Sequence, residues 1–288
     1  MKIISFIENI DKRWIYLLVA FAVIIPFIFP IGCPMRTTPP VESMFTFIED
    51  SIPEGGVMLI GMDYDPSTMA ELHPMAKAIV KHAFANNIRV LMVTLYAQST
   101  GLALDIINST IEIWNKNYPD NPKAVGTDIT LFPYVPGVSA VVLKMGEDIN
   151  QTFNDDAYGN SLGGLPVMKG VRNYQDIDYM VELAGSSVVI TWLTYANGRY
   201  GQKIGIGTTA VSTAEYYTYL QSGQAIGLLG GLRGAAEYEK LLEAKGYMKG
   251  RKDATIGMDA QSSAHVLFLL LVILGNVIYF IKRNKERE

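Results

Sequence analysis

The sequence predicts a doubly wound α/β domain of the Rossmann or flavodoxin type, with a mostly parallel sheet of about five strands and a transmembrane helix on either side. Two observations support this fold class. Long apolar segments lie near both ends of the 288-residue chain, and between them short apolar runs alternate with amphipathic helical patterns. Such alternation is typical of parallel sheets, whose strands are buried on both faces and therefore lack a polar side.

The first apolar segment, residues 14–32, contains no Asp, Glu, Lys or Arg. Its length is close to the ~20 residues that cross the hydrocarbon core of a bilayer as a helix. Residues 1–13 carry three cations and are predicted to lie in the cytoplasm. Because the segment ends in FPIGC, a lipoprotein signal that ends at Cys33 is the alternative to an uncleaved anchor.

The second apolar segment, residues 264–281, is equally free of charged residues and leads into the basic tail 282–288. Lys and Arg close to a span resist translocation, so both termini are predicted to be cytoplasmic. The chain would then cross the cell membrane twice and leave its middle region outside the cytoplasm. The two segments also explain why hydrophobic residues make up 49% of the chain and why its mean hydropathy is +0.19.

Residues 33–46 are predicted to form a Pro-rich extended linker, residues 47–250 the extracytoplasmic α/β domain, and residues 251–263 a second linker. Outside the two cytoplasmic segments the chain has 17 Lys and Arg against 24 Asp and Glu, a net charge of about −7. An acidic domain is a poor partner for phosphate backbones, so the sequence argues against nucleic acid binding. The expected partners are the lipid bilayer, further copies of the chain and other membrane proteins.

The first half of the domain is predicted to contain two strand–helix pairs. The apolar runs at 57–62 and 88–95 are interpreted as strands because they are continuous and short. The segments 68–86 and 102–114 are interpreted as helices because their apolar residues recur at helical spacing. The string TMAE, which begins at Thr68, predicts a capping box at the start of the first helix.

The second half of the domain has weaker signals. The predicted elements are, in chain order, a strand at 128–135, a helix at 137–149, an irregular loop at 150–173, strands at 187–193 and 202–210, and a closing helix at 235–244. Loops as long as 150–173 without regular structure are uncommon and often functional.

Candidate catalytic residues follow the first two predicted strands. Asp63 and Asp65 come directly after the first strand, and Thr94 stands near the end of the second. This arrangement resembles the first two motifs of the haloacid dehalogenase-like phosphohydrolases. The resemblance implies Asp63 as the nucleophile, Asp65 as the acid/base and Thr94 as a phosphate ligand, with Mg²⁺ offsetting the carboxylate charge. Outside this alternative the sequence predicts no cofactor.

The same residues also have a structural interpretation. Asp65, Pro66 and Ser67 are the residue types expected in a turn that leads into a helix. The resemblance covers about forty residues, and no strand-terminal acidic pair supplies the usual metal ligands of that family. The sequence therefore favours the turn over the catalytic pair.

A possible contact surface is marked by glycines in the string IGLLGGLRGAAEYE. Gly227, Gly230, Gly231 and Gly234 form two overlapping G-x-x-x-G spacings, which in a helix create a smooth face for a second backbone. A Gly-rich loop before the last helix is the alternative, since so many glycines destabilise a helix. Asn276 is the strongly polar residue within the second apolar segment. It is expected either to hydrogen-bond a neighbouring helix or to lie near enough to the cytoplasmic end to reach the lipid headgroups.

Over most of its length the chain resembles a group of prokaryotic membrane-anchored proteins with an α/β domain. The strings DYDPSTMAELHPMA and YLQSGQAIGLLGGLRGAAEYE carry this resemblance, which implies an architecture and no activity. The chain shows no complete catalytic set. The sequence therefore predicts a two-span membrane protein whose extracytoplasmic domain is a non-enzymatic structural or interaction subunit. The alternatives are a magnesium-dependent phosphohydrolase and a domain that binds a small solute.

Overall fold

The computed structural model describes residues 11–32 and 34–285 and contains a six-stranded, fully parallel sheet with flanking helices. The α/β class predicted from the sequence is confirmed. The proposed lipidation site at Cys33 and the charges of residues 1–10 and 286–288 lie outside the described residues.

The helices and strands are numbered in chain order. They are α1 (Lys12–Ile28), α2 (Pro39–Ser51), β1 (Val57–Asp63), α3 (Met69–Ala85), β2 (Arg89–Val93), α4 (Thr100–Asn117), β3 (Ile129–Leu131), α5 (Val138–Met145), α6 (Ile149–Phe153), β4 (Tyr179–Ala184), α7 (Val188–Thr191), a π-helical segment (Trp192–Asn197), α8 (Gly198–Tyr200), β5 (Ile204–Thr208), α9 (Thr213–Gln221), β6 (Ala225–Gly230), α10 (Gly231–Ala244) and α11 (Asp253–Lys285).

The strands lie in the order β3-β2-β1-β4-β5-β6, which is the order of the Rossmann fold. The chain builds outward from β1 to β3, returns to the other side of β1 as β4, and continues to β6. Asp63, at the end of β1, pairs in register with Ala184, at the end of β4. The connections thus diverge between β1 and β4, and this divergence creates a crevice at their carboxyl ends.

Two strands differ from the prediction. Residues 187–193, predicted as a strand, form α7 and the start of the π-helical segment, and the strand in this region is β4, immediately before them. The sixth strand, β6, occupies part of the glycine-rich string that was interpreted as a helix or a loop. The predicted strands at 57–62, 88–95 and 202–210 are confirmed as β1, β2 and β5.

The start of the domain also differs from the prediction. Residues 39–46 are not extended, because α2 begins at Pro39 with prolines in its first turn, where proline is tolerated. Val41, Met44 and Ile48 of α2 are buried. The compact unit that contains the sheet consequently spans residues 35–254.

The core consists of a layer of side chains on each face of the sheet. On one face Leu59, Leu91 and Met180 belong to a buried cluster that includes Phe132 and Trp192. On the other face α2, α3 and α10 pack against one another. Because both faces are covered, the strands are almost entirely apolar, and a charged residue in one of them requires an explanation.

The rest of the described chain forms a second compact unit with the two apolar segments. By length and composition, one helix among the described residues, Asp253–Arg283, can cross a membrane. The predicted linker 251–263 does not interrupt it, since α11 is continuous from Asp253. The first segment forms the shorter helix α1, which has 17 residues. A second span therefore remains a prediction.

Candidate functional site

The candidate site is a cleft of about 190 Å³ at the carboxyl ends of β1, β2 and β4. Its walls come from the loops after these strands, at 63–68, 96–98 and 185–186. Open α/β sheets bind ligands in the crevice where the strand order reverses, which here lies between β1 and β4. The fold itself therefore makes this cleft the first candidate.

Asp63 lies at the base of the cleft and is 1% exposed. Its Oδ1 accepts a hydrogen bond from the Leu95 amide at 2.6 Å, and its Oδ2 accepts one from Trp192 Nε1 at 3.3 Å. The Thr94 hydroxyl is 3.4 Å from Oδ1, so the two predicted residues do meet. However, Thr94 donates over a shorter distance, 2.9 Å, to the Tyr96 carbonyl and closes the turn after β2.

Asp65 lies at the rim of the cleft and forms the turn that the sequence favours. Its Oδ1 accepts hydrogen bonds from the Ser67 amide at 2.8 Å and from the Ser67 hydroxyl at 2.6 Å, and these bonds lower its pKa. The capping box is wrong, because Thr68 makes no side-chain cap bond. Glu71 instead accepts a hydrogen bond from the Ala210 amide at 2.8 Å.

Glu182, in the middle of β4, is a site residue that the sequence interpretation missed. It pairs in register with Gly61 and is 0% exposed. Neither carboxyl oxygen has a hydrogen-bond partner of normal geometry, and Asp63 is the charged group that acts on it. A Cβ atom at Gly61 would lie 1.7 Å from Glu182 Oε2, so the glycine leaves the space that the carboxyl group occupies. Because the sequence analysis did not predict β4 as a strand, it did not identify Glu182 as a site residue.

The two buried acids differ in their pKa values because their surroundings differ. Burial raises the pKa of Asp63, hydrogen bonds from Leu95, Glu182, Trp192 and Thr94 offset part of that increase, and the pKa is about 6. Burial and the Asp63 charge raise the pKa of Glu182 well above its usual range, with no donor to lower it. At neutral pH the proton of the pair therefore resides on Glu182 and the charge on Asp63.

A hydrogen-bonded chain fixes one wall of the cleft. The Tyr64 hydroxyl lies 3.0 Å from His73 Nδ1, and His73 Nε2 lies 2.9 Å from Asp105 Oδ2. Burial lowers the pKa of His73, and Asp105 partly offsets this effect. The Tyr64 carbonyl also accepts a bond from the Ser99 hydroxyl at 2.7 Å. The Tyr64 side chain is thus connected to His73 on α3 and, through His73, to Asp105 on α4. These hydrogen bonds fix the position of the Tyr64 ring.

The donors around Asp63 do not match the phosphohydrolase arrangement. An Asp nucleophile needs a free oxygen, yet both oxygens of Asp63 accept hydrogen bonds from the chain. Among the described residues, no Lys or Arg lines the cleft to meet a phosphate. Within residues 11–32 and 34–285, no group of three or more His, Cys, Asp or Glu is placed to hold a metal ion. The Mg²⁺ of that alternative therefore has no matching ligand set in the described part of the chain.

The four glycines of the predicted contact surface lie in a strand–helix junction rather than on one helix. Gly227 and Gly230 belong to β6, while Gly231 and Gly234 belong to α10, so the helical G-x-x-x-G interpretation is wrong. These glycines allow other parts of the same chain to approach closely. A Cβ at Gly227 would lie 2.5 Å from Met44 Cβ, and one at Gly234 would lie 2.9 Å from the Leu229 backbone.

Asn276 makes its hydrogen bond within its own helix. Its Nδ2 donates to the Val272 carbonyl at 2.9 Å, one turn earlier in α11. The predicted bond from Asn276 to a neighbouring helix remains a prediction.

A larger cavity, of about 770 Å³, is formed mainly by residues 163–172 of the predicted irregular loop. Its charged side chains are exposed, and two of them are already engaged: Arg172 pairs with Asp148 at 3.3 Å, and Asp176 accepts the Arg172 amide at 2.9 Å. Asn150 also lines this cavity, and its buried Oδ1 has no hydrogen-bond partner among the described residues, but no buried charged side chain of the described residues lines it. The smaller cleft at the strand ends is the better candidate because its base is a buried carboxylate.

Comparison with known proteins gives no further guide to the site, since the chain matches no protein-family model, no curated protein and no solved structure.

Proposed function

We propose that this protein is a two-span membrane protein whose extracytoplasmic α/β domain binds a small polar solute in the cleft between β1 and β4. The observation that carries this proposal is the position of the buried Asp63 carboxylate at the base of a cleft where the strand order reverses. Folds of this class place ligands at that position.

The cleft supports a small ligand with hydrogen-bonding groups. Its volume of about 190 Å³ is below the ~300–1,000 Å³ of pockets that hold drug-sized molecules. Ser67, Thr68, Tyr96 and Ser186 add hydroxyl groups to its walls. Such groups orient a polar molecule without activating it for reaction, so a binding domain fits this lining better than a phosphohydrolase does.

The role of an interaction subunit has less support in the described part of the chain. The glycines predicted to form a contact surface are used by contacts within the domain, with Met44 over Gly227 and Thr213 over Gly230. Assembly with itself or with other membrane proteins is therefore a secondary part of the proposal. Solute binding is the part that the geometry supports best.

The two-span topology is supported by a contact within the apolar unit. The Asp259 carboxylate accepts hydrogen bonds from the Ile31 amide at 2.9 Å and from the Gly32 amide at 2.8 Å. This contact places the chain just after α1 beside the first turns of α11, as a hairpin of two spans requires. The 17 residues of α1 also reach the lower limit of the ~17–25 residues found in transmembrane helices.

Solute binding is tested with the purified full-length protein in detergent, by measuring the thermal unfolding midpoint against a panel of sugars, polyols, amino acids and amines. A ligand that binds the folded state raises the midpoint. The variant Gln98→Trp places a bulky ring at the cleft entrance. Gln175→Trp is the matched control, because both glutamines are exposed and lie in 3₁₀ turns. We expect a ligand-dependent increase that Gln98→Trp abolishes and Gln175→Trp retains. A panel without any hit, or a hit unaffected by Gln98→Trp, would contradict the proposal.

The topology is tested with reporter enzymes fused after residue 160 and after residue 288. We expect the first fusion to be active only as an extracytoplasmic reporter and the second only as a cytoplasmic one. If both fusions report the same side, the chain crosses the membrane either not at all or an even number of times between residues 160 and 288, and the two-span proposal is wrong.

A further inference from the structure

The strongest unexplained feature of the molecule is Glu182, an acid buried in the sheet directly behind the cleft. It is 0% exposed, and neither of its carboxyl oxygens has a hydrogen-bond partner of normal geometry. The space for it is created by Gly61, whose missing Cβ would otherwise lie 1.7 Å from Oε2. Gly61 and Asp63 are two residues apart in β1 and so face the same side of the sheet. The Glu182 carboxyl group therefore lies on the same side of the sheet as the Asp63 carboxylate, whose charge acts on it.

The carboxyl groups of Asp63 and Glu182 are both buried from solvent and share one negative charge. A second charge would have neither water nor a counter-ion to stabilise it. Asp63 receives hydrogen bonds from Leu95 and Trp192, which favour its ionised form, whereas Glu182 receives none. The charge therefore rests on the acid that lines the cleft. The proton rests on the acid behind it.

The walls of the cleft add negative charge and, among the described residues, no positive charge. Asp65 is the second acid in the lining, the described part of the chain contributes no Lys or Arg there, and Tyr64 and Tyr96 are its aromatic residues. A cation with apolar substituents is attracted to carboxylates and to aromatic faces at once, while an anion is repelled by both. A divalent metal needs more oxygen ligands than this pair offers.

We propose that the solute bound in this cleft is a small organic cation of the ammonium type, with Asp63 as its counter-ion and the buried Glu182 as the neutral partner that leaves Asp63 charged. This inference rests on the proposed solute-binding function and names the chemical class of the ligand. It assigns Glu182 a positioning role, since Glu182 does not line the cleft itself.

The pair also determines how binding depends on pH. The titratable groups nearest to it are Tyr216 on α9, Tyr64 and Asp65 in the loop after β1, and Tyr96 after β2. Burial raises the pKa values of Tyr64 and Tyr216, and hydrogen bonds lower that of Asp65, so none of these three changes charge near neutral pH. Asp63, with a pKa of about 6, is the group that loses its charge as the solution becomes mildly acidic. Cation affinity should therefore fall about tenfold per pH unit below that value.

The experiment measures binding of choline and methylammonium to the full-length protein in detergent by calorimetry and by the shift of the unfolding midpoint. Dimethylbutanol, the uncharged carbon analogue of choline, is the control for size and shape. We expect binding of at least one ammonium ion, no binding of dimethylbutanol, and loss of binding in Asp63→Asn. Glu182→Gln should retain the affinity at neutral pH within about threefold, because Gln is isosteric with the protonated acid.

The possible failures are distinguishable. Binding of sugars or polyols without binding of the ammonium ions would overturn the cation proposal and leave solute binding intact. An equal response to choline and dimethylbutanol, or an affinity that is constant from pH 7 to pH 5, would also overturn it. A loss of more than tenfold in Glu182→Gln would show that Glu182 is itself charged, which contradicts its neutral role. If Asp63→Asn does not fold, the pH dependence of the wild-type protein decides the matter without a variant.

Discussion

Two clusters of buried ionisable groups, one at Asp63 and one at His82, differ in how completely their polar atoms are satisfied. His82 on α3 is 0% exposed, yet its Nδ1 lies 2.7 Å from the Tyr238 hydroxyl and its Nε2 lies 2.9 Å from Glu49 Oε2. Glu49 also accepts bonds from Lys245 at 2.8 Å and from Asn86 at 3.1 Å. Both nitrogens of the His82 ring have a hydrogen-bond partner, whereas in the other cluster neither oxygen of Glu182 has a partner of normal geometry among the described residues, and Asp63 is the group that acts on it.

The difference supports the proposal that the Glu49–His82 cluster stabilises the fold and that the Asp63–Glu182 cluster binds a ligand. A satisfied network ties its elements together, and here it connects α2, α3 and α10 in one layer. A buried group without partners costs free energy and is retained only where something compensates for it. The Glu49–His82 cluster is therefore interpreted as structural and the Asp63–Glu182 cluster as functional.

The clusters should also respond to acid in opposite directions. Burial raises the pKa of Glu49, but hydrogen bonds from Lys245, His82 and Asn86 outweigh it and the pKa is about 2. Burial lowers the pKa of His82 to about 4. Both folded-state values lie below those of the unfolded chain, so this cluster loses stability as the pH falls from about 6.5. The pKa of Asp63 is raised instead, so its cluster gains stability as the pH falls through about 6.

The largest effect is expected from Gly61→Ala, which removes the space for the Glu182 carboxyl group. The added methyl group would lie 1.7 Å from Oε2, and the buried side chain must then move into packed surroundings. Overpacking of this kind costs about 3 kcal/mol of unfolding free energy, which chemical denaturation of the full-length protein measures. Gly101→Ala is the matched control, since nothing lies within 4 Å of its new Cβ.

The double variant Gly61→Ala/Glu182→Ala tests the cause of that loss. If the carboxyl group is the obstacle, its removal should recover at least about 1 kcal/mol relative to additive effects. Additive losses would show that Gly61 is required by another contact and that the space beside it is not reserved for Glu182.

A smaller effect is expected from Glu49→Gln in the satisfied cluster. The substitution keeps the shape but removes the charge that accepts bonds from Lys245 and Asn86, and hydrogen bonds to charged groups contribute about 2 kcal/mol. The unfolding free energy should fall by about that amount at pH 7 and by much less near pH 3, where the unfolded-state carboxyl is protonated. A loss that is equal at both pH values would contradict the charge argument.

How much of the fold the sequence reveals depends on how apolar each strand is. β1 and β2 are continuous apolar runs, and their positions are confirmed. β4 was not predicted because Glu182 interrupts its apolar run. β6 was not predicted because its glycines weaken the apolar pattern that is typical of a buried strand. The residues that obscured these two strands make contacts with other elements. Glu182 places a buried carboxyl group beside β1, and Gly227 leaves space for the backbone of α2.

The error at 187–193 arose from local propensity. Val188, Val189 and Ile190 are β-branched and favour strands, but the buried positions of this segment recur at helical spacing through Trp192 and Leu193. Tertiary packing under the sheet overrides the local preference. The periodicity, rather than the residue types, was the signal that identifies the helix.

The site was predictable where strand ends alone determine proximity. Asp63 ends β1 and Thr94 directly follows β2, so their proximity follows from the fold, and the Thr94 hydroxyl lies 3.4 Å from Asp63 Oδ1. Glu182 was not predictable in the same way, because its position depends on the register of β4 against β1, which no local pattern in the sequence indicates.

A still smaller effect on stability is expected from Glu182→Gln, although the residue is completely buried. Because the acid is protonated when folded, an amide of the same shape changes the unfolding free energy at pH 7 by less than about 1 kcal/mol. The variant should also leave the pKa of Asp63 close to its value of about 6, because Gln keeps the shape of the protonated acid and can donate the hydrogen bond that Glu182 supplies. Carboxyl signals followed by carbon NMR against pH measure this titration, and a large shift of the Asp63 pKa in the variant would show that Glu182 carries charge in the folded protein.

The smallest effect separates the two acids of the Asp-Tyr-Asp string. Asp65→Asn should leave the unfolding midpoint unchanged, because an Asn side chain accepts the same bonds from the Ser67 amide and hydroxyl that form the turn. It should weaken binding of an ammonium ion only slightly, since Asp65 lies at the rim and Asp63 lies at the base. Asp63→Asn is the comparison and should abolish binding. If the protein instead hydrolyses phosphoesters, and if Asp65→Asn removes that activity while the fold is intact, Asp65 is an acid/base catalyst and the turn interpretation is incomplete.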